Sequence, residues 1–227
     1  MSSFLYPSLA PQESAGDQEP RVFDAALLLE LANTVRGTWS DAVAFDCQSV
    51  AANRGALHQS AALVVACATS GGRVLVMGNG GSACDAERLV RLLQPLVAAR
   101  TLLDPAVFSA IANDVGAARV FSRQLETFAS SRDLVVVFST SGTSANVIEA
   151  VGAAKRAGAS TVAFAGYGGA TLATDADVDV CISVDSTSVH RIQEAQGALC
   201  DALVVLVHAG LVDAGLVDAG LDPVDGT

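Results

Sequence analysis

The sequence predicts an α/β fold in three layers: a five-stranded parallel sheet with helices on both faces, preceded by N-terminal helices. Three observations predict it. Short runs rich in Val, Leu and Ala recur at 73–77, 106–111, 133–138, 160–165 and 178–182, with the length and composition of buried strands. Amphipathic stretches at 82–98, 115–130, 143–157 and 188–211 alternate with them, so successive strands need crossover helices and lie parallel. Three of the runs end in turns of small residues, Gly78–Ser82, Ser139–Ser144 and Gly166–Gly169, on the sheet edge where open α/β folds collect ligands.

The elements before the first strand differ in kind. Residues 1–21 are polar and contain proline, with no basic region leading into an apolar core, so they are expected to form a disordered leader and not a secretion signal. Helices are expected over 23–38 and 41–69, the second stopped by Ser70-Gly71-Gly72, where glycine supplies the left-handed residue that ends helices. A single domain is expected over 22–212. Gly-Leu-Val-Asp-Ala occurs at 210–214 and again at 215–219, too little repetition for a solenoid, so 213–227 is expected to be a flexible acidic tail.

Composition removes several classes of function. A chain of 227 residues can bury a real core, and with 51% apolar but only 5% aromatic residues that core is Ala/Val/Leu packing. A net charge of −11 argues against direct nucleic-acid binding, which needs a Lys/Arg footprint on the phosphates. Mean hydropathy is positive, but no uninterrupted apolar stretch reaches the roughly 18–20 residues of a membrane span. Cys47, Cys67, Cys84, Cys181 and Cys200 form no C-x-x-C pair and are odd in number, as expected of free thiols in a reducing cytoplasm.

Chemistry concentrates in two turns. Gly78-Asn79-Gly80-Gly81-Ser82 lacks the spacing of a dinucleotide fingerprint and the Lys of a Walker loop, but it lets a ligand approach the backbone at a helix start. Ser139, Thr140, Ser141 and Ser144 bring four hydroxyls within six residues at another helix start. Together with the helix N–H groups these suit a phosphate dianion, although a bland tight turn would need none of them.

Four motifs in order, G-N-G-G-S, I-A-N-D at 111–114, S-T-S-G-x-S-x-N-V and R-I-Q-E at 191–194, make the chain resemble the sugar-isomerase (SIS) domain family. Within it the resemblance is to the phosphoheptose isomerases, and it covers about 45–211. The resemblance implies a homotetramer with sites built at subunit interfaces. It implies that Ser139, Thr140, Ser141 and Ser144 hold a sugar phosphate and that Asn79, Gly80 and Ser82 line the sugar. It further implies that Asp104 and Gln193 belong to the site.

The same resemblance exposes three departures. Isomerisation between aldose and ketose needs a base, an acid and a group that polarises the carbonyl. The family supplies a Glu and a His for proton transfer, and these, with a second His and the R-I-Q-E glutamine, form a zinc site. Counted from the motifs, those positions are Arg88, Leu92 and Asp201 here, leaving Gln193 alone. Arg and Leu cannot ligate zinc, so no cofactor is expected. Asp201 and His190 are the remaining candidates for acid–base work, with a solvated or Arg-paired aspartate as the plainer reading of Asp201.

Two functions follow. One is a phosphosugar-binding protein without zinc-dependent isomerase chemistry, a regulator or non-catalytic subunit, forming a homotetramer or pairing with an active paralogue. The other is a sedoheptulose 7-phosphate isomerase, or one of a related sugar phosphate, with rearranged acid–base residues.

Overall fold

The computed structural model describes residues 25–220; the expected leader and the last seven residues of the expected tail lie outside them. The chain divides into two units, one up to Asp41 and one from Ala42 onward. In the first, the described residues are helical and belong to α1 (Ala25–Ala52), with Leu28, Leu29, Leu31, Val35 and Trp39 exposed.

In the second unit, the C-terminal end of α1 meets α2 (Arg54–Thr69) at Asn53. The sequence placed that break near residue 40. The break falls instead where the Asn53 amide donates to the Ser49 and Ser183 carbonyls and accepts from the Ser183 N–H, a tie to a residue 130 positions away. Then follow β1 (Val74–Gly78), α3 (Gly81–Leu93), β2 (Ala99–Thr101), α4 (Pro105–Asp114), a 3-10 turn at Ala117–Arg119, α5 (Ser122–Phe128), β3 (Leu134–Ser139), α6 (Ala145–Arg156), β4 (Ser160–Ala165), a second 3-10 turn at Tyr167–Gly169, β5 (Val180–Ser183) and α7 (Val189–Asp213).

The five strands are all parallel, in the order β2-β1-β3-β4-β5. One expected strand is corrected. Residues 106–111 are helical because Asp104 caps α4, its Oδ1 accepting from the N–H groups of Ala106 and Val107, while Pro105 occupies the first helical position. The strand pairing with β1 is the three-residue Ala99–Thr101. The stretch 115–130 is also not one helix but a 3-10 turn followed by α5.

Alternation along the strands sorts the core into two layers. Val74, Val76, Val136, Phe138, Val162, Phe164 and Ile182 pack against α2, α3 and α7. Leu75, Met77, Val135, Val137, Ala163 and Ala165 pack against α5 and α6. Phe138 and Phe164 are register partners on β3 and β4 and stack with centroids 4.5 Å apart, directly below the strand ends. α7 has the length and apolarity of a membrane span, but Ile192, Leu199, Leu203, Val204, Val207 and Leu211 are buried in the first layer, so it is a core helix. Gly215, with φ +69°, closes it: the N–H groups of Gly215 and Leu216 return to the carbonyls of Val212 and Leu211.

At the opposite edge of the sheet from the strand carboxyl ends, Asp133 anchors the start of β3. Burial alone would raise its carboxyl, but bonds from Arg73 and Ser130 hold it below the usual range. All five cysteines are free thiols, and burial lifts Cys67 and Cys181 to about 11.

Candidate functional site

The strand order reverses direction between β1 and β3: the chain leaves β1 to one side to form β2 and returns on the other as β3. In open α/β sheets the crevice at such a reversal, outside the strand carboxyl ends, is where ligands bind. Both turns singled out from the sequence lie there.

The first turn leaves β1 and enters α3. Gly80 has φ +55°, ψ −122° at the N-cap, a conformation open to glycine. Ser82 is buried, and its N–H bonds to the Asn79 carbonyl. The Asn79 side chain reaches across the crevice. Its Nδ2 donates to Asn146 Oδ1 at 2.8 Å, and Asn146 Nδ2 donates back at 2.9 Å. This reciprocal amide pair joins the start of α3 to the start of α6. Asn146 lies inside the S-x-N-V motif, so its position was visible in the sequence but its partner was not.

The second turn leaves β3 and enters α6. Ser139 is buried; its Oγ accepts from the Gly142 N–H and bonds to the hydroxyls of Ser141 and Ser144 at 3.4 and 3.1 Å. Ser141 Oγ in turn accepts from the N–H and hydroxyl of Thr143. Ser144 is the N-cap residue of α6, yet its hydroxyl points to Ser139 and makes no capping bond. The turn therefore sets hydroxyls beside helix N–H groups, the donor set a phosphate dianion takes. Its floor is tight, since a Cβ on Gly166 would lie 2.5 Å from Ile192 Cδ1 and closer still to the Thr140 carbonyl oxygen. Gly142 packs on Gly169 of the third turn and on Ala170 just after it, at 2.7 and 2.8 Å from a Cβ, and Tyr167 and Ala170 both adopt positive φ.

Gln193 is the fifth residue of α7, with its amide against the Cα of Gly81, where a Cβ would collide with it. Its Nε2 donates to Asp85 Oδ2 at 3.5 Å. Burial pushes the Asp85 carboxyl up to about 6, against the lowering effects of Gln193 and Arg88. Asp85 was not among the residues singled out from the sequence. The signal available was its place four residues after Gly81, on the face of α3 that also carries Arg88.

Arg88 Nη2 reaches both carboxylate oxygens of Asp201, at 2.6 and 2.8 Å. Leu92, one turn further along α3, packs against the apolar layer beneath α7. So the three changed positions hold a guanidinium, a carboxylate bound to it and a half-buried leucine against the core. Neither Arg nor Leu offers a zinc-binding atom. His190 is exposed in the first turn of α7, after Ser188, whose hydroxyl caps the helix. Asp104 spends one carboxylate oxygen on the cap of α4. Asn79, Gly80, Ser82 and Gln193 thus gather on one side of the crevice and Ser139, Thr140, Ser141 and Ser144 on the other.

Comparison with known proteins shows the family and the fold. The SIS domain family matches residues 38–166. A phosphoheptose isomerase of Syntrophotalea carbinolica is 38% identical over 161 residues, covering 65% of this chain and 80% of the relative. One from Thermodesulfovibrio yellowstonii is 33% identical over 189 residues, covering 79% and 92%. The solved structure of the Neisseria gonorrhoeae phosphoheptose isomerase superposes with a TM-score of 0.73 at 33% identity, covering 78% of this chain and 99% of that one. Sequence, strand order and crevice therefore converge: this chain belongs to the SIS domain family.

Proposed function

We propose that this chain is a phosphosugar-binding protein of the phosphoheptose isomerase type that grips a ketose phosphate without zinc and without the zinc-dependent isomerase reaction. The phosphate would lie in the turn of Ser139, Thr140, Ser141 and Ser144, held by hydroxyls and the α6 N-terminus. The sugar would extend toward Asn79, Gly80, Ser82 and Gln193. The names of its relatives support sedoheptulose 7-phosphate as the first ligand to try.

The observation that carries the reading is the closed pairing of Arg88 with Asp201 beside a half-buried Leu92. Proton transfer between C1 and C2 needs a base free to accept, and a carboxylate held by a guanidinium is a poor one. The alternative, an isomerase working through Asp201 and His190, requires that pair to open. We read the protein as acting in the cytoplasm, as a regulator or as the non-catalytic member of an assembly. A homo-oligomer is supported by the stripe Leu28, Leu31, Val35 and Trp39, whose helical spacing gives the first unit one exposed apolar face.

The test is calorimetry on the full chain with sedoheptulose 7-phosphate, together with a turnover assay. Binding is expected, with Ser141→Ala plus Ser144→Ala weakening it by about 10–100-fold, the range set by losing a charge-assisted hydrogen bond. No conversion is expected with or without added zinc. Zinc-stimulated turnover would reject the proposal, and turnover without metal would favour the rearranged isomerase.

A further inference from the structure

We propose that Arg88 and Asp201 form a built-in tie between α3 and α7, a fixed guanidinium standing in for a bound cation, which keeps the two halves of the sugar side in register without metal. The inference rests on the phosphosugar reading above but can fail separately from it.

The two helices run side by side in the same direction. Gly81 and Asp85 face Gln193 at their N-terminal ends, and Arg88 faces Gly197 and Asp201 further along. Gly80 caps α3 and Ser82 lies in its first turn, while Gln193 is the fifth residue of α7. A slide or tilt of one helix on the other therefore moves the Gln193 amide relative to the G-N-G-G-S turn. Close to the crevice the polar hold is weak, a single 3.5 Å bond from Gln193 to Asp85. The firm polar contact lies further along, three residues on along α3 and eight along α7, where Arg88 Nη2 takes both Asp201 oxygens.

The surroundings border the pair on one side. A Cβ on Gly197 would stand 4.0 Å from Arg88 Nε, so the arginine side chain lies across α7 at that residue. Leu92 and the fully buried Cys200 close the apolar seam around the pair. Both charged side chains keep solvent contact, 44% and 37% exposed. Pairs of that kind add little to overall stability, so the pair's expected contribution is alignment.

The experiment compares wild type, Arg88→Ala, Asp201→Ala, the double alanine variant and the charge swap Arg88→Asp with Asp201→Arg. Sedoheptulose 7-phosphate affinity and thermal melting are read for each, in EDTA and in zinc chloride. Arg73→Ala, which breaks an ion pair at the opposite sheet edge, serves as a stability control. Wild-type affinity and melting are expected to agree within twofold and about 1 °C across EDTA and zinc. Each single alanine variant is expected to weaken binding two- to fivefold, the double no further than either single, and the swap to recover most of the loss. Arg73→Ala is expected to lower the melting temperature and leave affinity unchanged. Single variants that bind like wild type, losses that simply multiply in the double, or a wild type whose affinity rises with zinc would each overturn the tie. If wild type binds no phosphosugar, the function proposed above fails, and amide hydrogen exchange at the N-terminal ends of α3 and α7 decides the tie alone: exchange faster in both single variants and restored by the swap supports it, and exchange unchanged from wild type refutes it.

Discussion

Gly166→Ala isolates the dependence of the serine turn on close backbone packing. Gly166 has φ −93° and ψ −172°, extended values that alanine adopts freely, so backbone strain plays no part. The effect is steric. The new methyl would lie 2.5 and 2.9 Å from two carbons of Ile192 and closer still to the Thr140 carbonyl oxygen. Ordinary contact begins near 3.4 Å, so something must yield by about 1 Å, and Ile192 is buried in the first core layer. The cheaper route lifts Thr140 and the turn it belongs to. Overpacking of this size costs about 1–3 kcal/mol, or a melting temperature lower by roughly 2–4 °C per kcal/mol in a chain of this length. A displaced turn that loses one charge-assisted hydrogen bond to phosphate forfeits a further ~1.5–3 kcal/mol of binding, about 10–100-fold in affinity. Calorimetry with sedoheptulose 7-phosphate and with inorganic phosphate, beside a melting curve, measures both. A Gly166→Ala protein that melts and binds like wild type would show that the turn does not depend on this contact.

The remaining expectations address stability and assembly. Asp133 and Asp179 both have carboxyls held below the usual carboxylate range by their hydrogen bonds, against the raising effect of burial, so each contributes stability at neutral pH that is lost as pH falls through that lowered range. Asp133→Asn should flatten the acid limb of a melting-temperature profile and cost about 2–4 kcal/mol at pH 7, because it strips a buried partner from Arg73; an unchanged acid limb would contradict this. Trp39→Glu, on the exposed apolar stripe of the first unit, should lower the molar mass seen by light scattering, and an unaltered mass would remove that stripe from the assembly.

The layers of the fold were legible in the sequence because β1 and β3 are almost wholly apolar and β4 and β5 are mostly so. The fifth strand was not. Ala99-Arg100-Thr101 carries no apolar pattern and is a strand only because β1 is there to pair with it. The apolar run at 106–111 reads as a strand because its periodicity is ambiguous over six residues, while Asp104-Pro105 ahead of it is a helix start and decides for helix. In the candidate site the serine turn and the glycine turn could be located, since each is contiguous. The pairs that organise the crevice could not, since Asn79 meets Asn146 and Arg88 meets Asp201 only after the strands have set their helices side by side.

The cross-linked hydroxyls of the serine turn have a consequence for how the protein meets its surroundings. Their donors carry no formal charge, so dissolved ions have little to screen at the point of contact. The chain as a whole carries −11 and repels a dianion approaching from afar. Ionic strength would therefore ease the ligand's approach, the reverse of a site built from lysine and arginine, and a crowded, salty medium is where such a grip would lose least.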